Sequence, residues 1–193
     1  MPKSLGNVVD PLTIINDTFA GDPDPLRYFL LRTGRIDADG QFGMDALKEC
    51  YERELVGSLG NLISRVFKAN SATEAMNEEE TDFKEPADPQ ISDAIHQFRE
   101  QVAKHFDNVK LSGVADCLQG LLGSGNAFLS RWQPWKEPSR WPHCRHTISA
   151  LLQAALPVIG SFTPGAAVKI ESILRAGQPV RPGGIFPRLG PPL

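Results

Sequence analysis

Apolar residues recur along most of this chain at spacings of three and four positions, the repeat expected of one face of an α-helix. The most regular run lies within Met44–Lys68, where the spacings are 4, 4, 4, 3 and 4 and the residues are Leu47, Tyr51, Leu55, Leu59, Leu62 and Val66. Four similar runs predict helices after Asp88-Pro89, from near Ser112 until Pro134, through Ile148–Ile159 and after Thr163-Pro164. Amphipathic helices joined mostly by short links predict an all-α bundle of about five helices over residues 41–176.

Two shorter helices are predicted ahead of the bundle. Asp10 before Pro11 is a helix-start signal, since the side chain caps the helix and proline suits its first position. Asp24 before Pro25 repeats this signal. Two short helices with no strand to pair with make a poor independent domain. Residues 1–40 are therefore expected to be the end of a larger domain, truncated on its N-terminal side.

Two segments have compositions that oppose helix formation. Residues 71–90 hold seven acidic side chains and one lysine, and they predict an acidic linker on the surface. Residues 177–193 contain four glycines and five prolines, too many for a helix. This tail is expected to be extended, and to be ordered only where it docks on the rest of the protein.

Charge and composition narrow the classes of function. The net charge is −3, but the acidic linker contributes −6, so the other 173 residues carry +3 and an anionic partner stays possible. No apolar run approaches the roughly 20 residues that span a bilayer, which predicts no membrane segment. The three cysteines are widely spaced without a CxxC pair, and the four histidines have no metal-binding spacing. Reduced thiols and no metal site are therefore expected.

The segment Lys3-Ser4-Leu5-Gly6-Asn7 resembles the end of the KMSKS signature of class I aminoacyl-tRNA synthetases. Residues 26–32, of sequence LRYFLLR, resemble the segment that comes after that signature in methionyl-tRNA synthetases. In the family this loop neutralises ATP phosphates while the aminoacyl-adenylate forms, so the resemblance implies a catalytic role for Lys3 and Ser4. The sequence departs from the signature at Pro2, where serine is usual, and the leading lysine would precede Met1.

The bundle resembles the methionyl-tRNA synthetase anticodon-binding domain at two places, Gly60–Arg65 (GNLISR) and Asn126–Lys136 (NAFLSRWQPWK). The resemblance implies that Asn61 and Arg65 hydrogen-bond the anticodon and that Trp135 stacks on one of its bases. These residue types suit the task, because loop bases are read by donors on their edges and by aromatic stacking. Asn61 and Arg65 are four residues apart and so project from one side of a helix.

Each of these residues also has an ordinary structural interpretation. An asparagine and an arginine beside an apolar stripe are most often a helix flank, and a tryptophan after proline is often a plug between helices. Trp132 and Trp141 also compete with Trp135 for the role of exposed stacking platform. Asn126 is interpreted as a packing or capping residue that supports the turn, and not as a base reader.

Together, the motifs predict the C-terminal portion of a methionine–tRNA ligase, which recognises the methionine tRNA anticodon and contributes the KMSKS loop to ATP- and Mg²⁺-dependent methionylation. The sequence shows no HIGH-type signature and no alternating strand–helix pattern for a nucleotide-binding sheet, so the chain alone is expected to be inactive and to need an N-terminal catalytic domain. A monomer is expected. The closing segment 184–189 resembles that of bacterial and organellar forms, which favours the mitochondrial matrix over the cytoplasm. The alternatives are a non-catalytic tRNA-binding module and a helical protein-interaction scaffold.

Overall fold

Helices account for nearly all of the chain that the computed structural model describes, namely residues 10–34, 42–67, 86, 88–176 and 184–190, and no strand occurs among these residues. The elements are α1 Pro11–Phe19, α2 Asp24–Thr33, α3 Met44–Cys50, a π-helical segment Tyr51–Gly60, α4 Asn61–Val66, α5 Pro89–Asp107, α6 Leu111–Trp132, a 3₁₀ turn Pro138–Arg140, α7 Trp141–Phe162 and α8 Pro164–Ala176. The predicted all-α bundle is confirmed: its five rods are α3 through α4, α5, α6, α7 and α8. None of the described helices is both long enough and apolar enough to cross a membrane.

The first rod of the bundle is only partly α-helical. Its middle segment, Tyr51–Gly60, forms a π-helix, whereas the sequence predicts one uninterrupted α-helix. The difference has a basis in the spacing, because consecutive intervals of four exceed the 3.6 residues per turn of an α-helix. The wider π turn keeps Tyr51, Leu55 and Leu59 on one buried face, and all three are almost fully buried.

The hairpin of α5 and α6 is fixed at its ends by capping. Asp88 accepts hydrogen bonds from the backbone N–H groups of Gln90 and Ile91 at 3.0 and 3.3 Å, so α5 begins at Pro89 and takes the last two residues of the predicted acidic linker. The chain leaves α6 through Gln133, whose φ of 45° is left-handed. The N–H of Gln133 bonds Leu129 at 2.9 Å, and this terminus sets the direction of the next turn.

The first rod, α6 and α7 pack tightly around Gly125 of α6. A Cβ atom added there would lie 3.0 Å from Leu151 of α7, 3.2 Å from Leu62 of α4 and 3.4 Å from Ile148 of α7. Leu62, Leu151 and Ile148 are completely buried, so the neighbours have little room to withdraw. Glycine at this position therefore holds α4 and α6 close together, one residue before Asn126.

The two N-terminal helices pack on the bundle and share its hydrophobic core. Phe19 of α1 meets Tyr51 with ring centroids 5.0 Å apart, and Tyr28 of α2 meets Phe162 at 5.8 Å. The buried Asp24 accepts a hydrogen bond from the backbone N–H of Ala166 at 2.7 Å, in the first turn of α8. α1 therefore contacts the first rod of the bundle, and α2 contacts its last two helices, α7 and α8.

A buried polar cluster around Glu54 ties α2 to the first rod and α6. The carboxylate accepts hydrogen bonds from Tyr28 at 2.6 Å, Arg32 at 3.1 Å and Arg53 at 3.0 Å. Gln119 of α6 donates to the Tyr28 hydroxyl at 2.9 Å. Burial alone would raise the pKa of Glu54, but these donors and the Arg32 charge lower it below its ordinary value. Burial, followed by the bond to Glu54, raises the pKa of Tyr28.

The described part of the C-terminal tail, residues 184–190, is extended and docks on the π-helical segment. Ile185 and Phe186 are buried, and the Phe186 ring meets Tyr51 edge-on at 6.2 Å. The Tyr51 hydroxyl donates to the Pro187 carbonyl, and Glu52 accepts from the backbone N–H of Leu189 at 2.7 Å. Docking through both apolar burial and backbone hydrogen bonds explains why this glycine- and proline-rich segment is ordered.

Candidate nucleic-acid interface

Three of the five predicted site residues come together at the junction of α4 and α6. Asn61 begins α4 and Arg65 lies one turn later, while Trp135 stands in the turn after α6. Residues separated by about seventy positions in sequence therefore meet on one surface. Lys3 and Ser4 of the KMSKS-like segment lie outside the described residues.

Asn126 of α6 is the residue that joins the two helices at this surface. Its side-chain oxygen accepts from Asn61 Nδ2 at 3.0 Å and from Arg65 at 3.4 Å. Its side-chain nitrogen donates to the backbone carbonyls of Ser58 at 3.3 Å and Leu122 at 3.1 Å. Asn126 thus orients both predicted base-reading side chains. The sequence predicts that Asn126 supports the turn at Trp135, whereas these bonds run to α4, to the π-helical segment and to α6 itself.

The Arg65 guanidinium lies over the Trp135 ring, with its central carbon 4.8 Å from the ring centroid. It also donates to the Asn126 carbonyl at 3.3 Å and to Ser130 Oγ at 3.3 Å. Burial lowers the pKa of Arg65 from its ordinary value, yet a guanidinium stays cationic at neutral pH. A cation on an aromatic face is attracted by the ring quadrupole, so the stack fixes the orientation of both groups.

Trp135 is the exposed tryptophan of the three, since 48% of its surface is accessible whereas Trp132 and Trp141 are half-buried. The Trp132 ring packs on Phe128 at 5.9 Å and on His143 at 4.4 Å. The sequence assigns stacking to Trp135, with Trp132 and Trp141 as competing candidates. The structure gives Trp132 a packing role and leaves an accessible indole at Trp135.

This surface has the elements that single-stranded nucleic acid requires. Trp135 offers a flat aromatic face, and stacking of one base on such a face contributes about 1–3 kcal/mol. The Asn61 amide is exposed and can offer a donor and an acceptor to a base edge. Arg65 supplies positive charge with N–H groups in a planar fork. Because all three are positioned by helices or by a turn closed by hydrogen bonds, the surface is preorganised.

Two residues at or beside the interface, Ser130 and Arg131, are not among the predicted site residues. Ser130 contacts Arg65 and donates to the Asn126 carbonyl at 2.9 Å; it lies one turn after Asn126, so helical periodicity could have identified it. Arg131 donates to the Asp88 carboxylate at 2.7 Å, which joins the start of α5 to the end of α6. No sequence signal connects residues 88 and 131, because only the packing of the hairpin brings them together.

The described residues provide neither a metal cluster nor a disulfide. No group of three or more histidine, cysteine or acidic side chains among them is placed to hold a metal ion. The cysteines are free thiols: Cys50 and Cys144 are buried, and Cys117 is half-buried. Burial raises the pKa of Cys50 and of Cys144 to about 11, so both stay protonated at neutral pH.

Comparison with known sequences gives a consistent group of relatives. A family model described as tRNA synthetases class I (M) matches residues 1–67. Methionine–tRNA ligase of Clostridium tetani is 28% identical over 187 residues, covering 90% of this chain and 28% of the relative. The mitochondrial methionine–tRNA ligase of Homo sapiens is 29% identical over 200 residues, covering 90% of this chain and 32% of the relative. The chain therefore spans about a third of the length of these relatives.

Solved structures of related proteins have the same fold. Mycobacterium tuberculosis methionyl-tRNA synthetase in complex with methionyl-adenylate superposes with a TM-score of 0.70 at 26% identity, covering 100% of this chain and 40% of that protein. The apo form of the same synthetase gives a TM-score of 0.71 at 24% identity, covering 96% of this chain and 42% of that protein. Sequence and fold comparisons thus lead to the same group of proteins.

Proposed function

Because this chain belongs to the methionyl-tRNA synthetase family, we propose that its α4–α6 surface recognises the anticodon of methionine tRNA. The observation that carries the proposal is the convergence of Asn61, Arg65 and Trp135, with Arg65 stacked on the indole at 4.8 Å. Arg65 lies over the Trp135 ring, and 48% of the residue stays accessible for contact with a base. Asn61 and the remaining N–H groups of Arg65 are available to the edges of bases beside it.

A direct binding measurement tests this proposal. The 193-residue chain is titrated, by fluorescence anisotropy, into a hairpin RNA carrying the methionine anticodon and into one with a changed anticodon. Trp135→Ala is expected to weaken binding of the methionine hairpin by about five- to 150-fold, the equivalent of one lost stack. Phe106→Ala, at another exposed aromatic residue in the last turn of α5, is the matched control.

The outcome separates recognition from packing. Loss of affinity confined to the methionine hairpin supports anticodon reading. Equal affinity of the parent chain for both hairpins, or an unchanged affinity in Trp135→Ala, would refute it. Melting temperatures measured by circular dichroism identify any variant that loses binding through unfolding.

The catalytic part of the proposal concerns the loop at the N-terminus. We propose that Lys3 and Ser4 act in a KMSKS-like loop, in which the lysine would neutralise ATP phosphates during methionine activation. ATP, Mg²⁺, methionine and tRNA would then be ligands of the complete reaction. The 193 residues assayed alone are expected to form no methionyl-tRNA, since their sequence lacks a HIGH-type signature and a nucleotide-binding sheet pattern. Detectable product would contradict this expectation.

A second kinetic test applies to any synthetase that contains these residues. Trp135→Ala or Arg65→Ala is expected to lower aminoacylation of tRNA and to leave methionine-dependent pyrophosphate exchange nearly unchanged. The reason is that exchange requires no tRNA and so does not depend on the anticodon surface. Equal losses in both assays would show that these side chains act through the fold.

Similarity does not distinguish between compartments. Bacterial and mitochondrial relatives match with 28% and 29% identity, respectively. A mitochondrial location is therefore a proposal that rests on the bacterial-like closing segment alone. Imaging of the tagged endogenous protein tests it, and a cytoplasmic signal would refute it.

Exposed apolar side chains support a second candidate function, a protein-interaction scaffold. Leu12, Leu30 and Phe42, on α1, α2 and the segment before α3, are all exposed, and Phe42 packs edge-on against Phe29 at 5.8 Å. Apolar groups at a surface can mark a contact with another protein or domain. The test is a pull-down with and without ribonuclease. A protein partner that is still captured after ribonuclease treatment, and is no longer captured by the Leu12→Ser/Leu30→Ser variant, favours the scaffold. Capture that ribonuclease abolishes favours the RNA-binding function.

A further inference from the structure

An open cleft of about 650 Å³ lies beside the Trp135 turn, between the start of α5 and the end of α6. Its lining consists of Asp88, Pro89, Gln90, Arg131, Trp132 and Arg140. Two guanidinium groups and a primary amide in this lining are groups that contact phosphate and sugar in nucleic-acid complexes. None of them belongs to the Asn61, Arg65 and Trp135 surface described above.

Arg131 is held in the cleft as a preorganised cation. Its guanidinium donates to the Asp88 carboxylate at 2.7 Å and to the Gln90 side-chain oxygen, and it lies 5.7 Å from the Phe128 ring. Further guanidinium N–H groups make no bond to the described residues, and 48% of the side chain is accessible. Holding a guanidinium in place lowers the entropy cost of contacting a phosphate.

The carboxylate of Asp88 does not cancel this cation. One of its oxygens caps α5 by accepting the N–H groups of Gln90 and Ile91, while the other binds Arg131. Its charge is thus shared between a helix N-terminus and a guanidinium, both of which are positive. The outer side of Arg131 remains available to another anion.

Arg140 also lines the cleft and links it to the residue that precedes the Trp135 turn. It donates to the carbonyl of Trp132 at 2.8 Å and pairs with Glu137, while 39% of its side chain is accessible. The turn from Gln133 to Lys136 is closed by a 2.9 Å backbone hydrogen bond. Trp132 and Trp135 are three residues apart, at most about 11 Å along the chain. The cleft is therefore within reach of a nucleotide adjacent to one stacked on Trp135.

We propose that this cleft binds a backbone phosphate of the RNA strand whose base stacks on Trp135, with Arg131 as the principal contact and Arg140 as the second. This inference rests on the proposed function and adds a sequence-independent subsite to it. Phosphate contacts position a strand and base contacts give specificity, so the two neighbouring sites divide these tasks.

The test uses three variants whose effects differ in sign. Asp88→Asn keeps the helix cap and removes the competing carboxylate, so binding of the anticodon hairpin is expected to tighten by up to about fivefold at 0.1 M salt. Asp88→Asn/Arg131→Gln retains a neutral pair and removes the cation, so binding is expected to weaken about fivefold relative to Asp88→Asn. The slope of log K against log salt is expected to fall by about 0.7 in this double variant. Arg131→Lys, which keeps the charge, is expected to retain the slope.

Arg175→Gln on α8 is the matched control, because Arg175 is equally a surface arginine paired with a carboxylate, Glu171 at 2.7 Å. Weaker binding in Asp88→Asn, or an unchanged salt slope in the double variant, would overturn the phosphate subsite. If Trp135→Ala still weakens binding in that case, the proposed function survives without the subsite; if Trp135→Ala has no effect either, the proposed function itself fails.

A competition experiment distinguishes a phosphate of the RNA strand from free phosphate compounds. ADP and inorganic phosphate are added to the chain–hairpin complex at constant ionic strength. No displacement at millimolar concentration is expected for a site that needs a strand anchored on Trp135. Displacement that depends on Arg131 would assign the cleft to free phosphate compounds and overturn the strand contact.

Discussion

Asn126→Ala tests how the structure holds its candidate site together. The substitution removes the hydrogen bonds to Asn61 at 3.0 Å, to Arg65 at 3.4 Å and to the Ser58 carbonyl at 3.3 Å. The bond to Leu122 lies within α6 and contributes nothing between helices. Asn61 is exposed and can bond water instead, and the Ser58 carbonyl also accepts the N–H of Asn61. The expected loss of unfolding free energy is therefore the net contribution of these hydrogen bonds, without an added penalty for buried unpaired groups.

The magnitude depends on the number of bonds between the rods. Two neutral bonds at roughly 0.5–1 kcal/mol each, and a long bond to Arg65 of about 0.5 kcal/mol, add up to about 2 kcal/mol of unfolding free energy. For a chain of 193 residues this corresponds to a melting temperature lower by about 4–8 °C. Binding of the anticodon hairpin is expected to fall as well, because Asn61 and Arg65 lose their common anchor.

Urea denaturation followed by circular dichroism measures the stability change, and anisotropy measures the binding. Asn108→Ala is the matched control, since among the described residues the Asn108 amide bonds only the Lys104 carbonyl of the preceding helix α5, at 2.6 Å. A loss below about 0.5 kcal/mol for Asn126→Ala, or a loss equal to that of Asn108→Ala, would refute the argument that Asn126 joins α4 to α6.

Three further outcomes are expected. Glu54→Gln should lower the free energy of unfolding by about 2 kcal/mol at pH 7, as measured by urea denaturation. Because the pKa of Glu54 is lowered in the folded state, this contribution is present above the unfolded pKa near 4.5 and should shrink as the pH falls through the lower folded pKa. A pH-independent difference would contradict this expectation. Val109→Gly should stabilise the chain by about 1 kcal/mol, since Val109 is exposed and left-handed at φ 54°, and a lower melting temperature would show that its side chain makes a needed contact. A thiol reagent at pH 7.5 should modify Cys117 first. Cys50 and Cys144 should react only in denaturant, because both thiols are buried and protonated. Rapid reaction of all three cysteines would contradict this burial.

The sequence predicted most helix starts correctly, because their signals are local, but Asp24 is not the cap that it predicts. Asp24 is the first residue of α2, and its side chain bonds the Ala166 N–H of α8 and does not cap α2. Asp10 and Asp88 start α1 and α5 as side-chain caps, and proline at the first position follows each. The apolar stripe predicts which faces are buried, and Leu47, Leu62 and Val66 are indeed buried completely. A helix start or a buried stripe depends on residues within a few positions, which a sequence displays directly.

The π-helical segment marks the limit of that local information. Intervals of four residues fit either an α-helix with a drifting stripe or a wider turn, and the packing of Tyr51 and Leu55 against neighbouring elements selects the second. Similarly, the composition of residues 177–193 predicts an extended tail but not its docking site. Phe186 docks on Tyr51, which Phe19 of α1 also contacts, so this docking surface depends on tertiary packing.

The sequence by itself determined the all-α class, the family resemblance and the residues Asn61, Arg65 and Trp135 as candidates. The tertiary structure decided which of the tryptophans is accessible, that Arg65 stacks on it, and that Asn126 holds Asn61 and Arg65 in place. It also created the cleft around Arg131. The physical reason is the sequence distance over which each kind of interaction acts. Helix signals act over one or two turns. The contacts of Asn61 and Arg65 with α6 and its turn join residues 61 or more positions apart, and they depend on how closely α4 and α6 approach at Gly125.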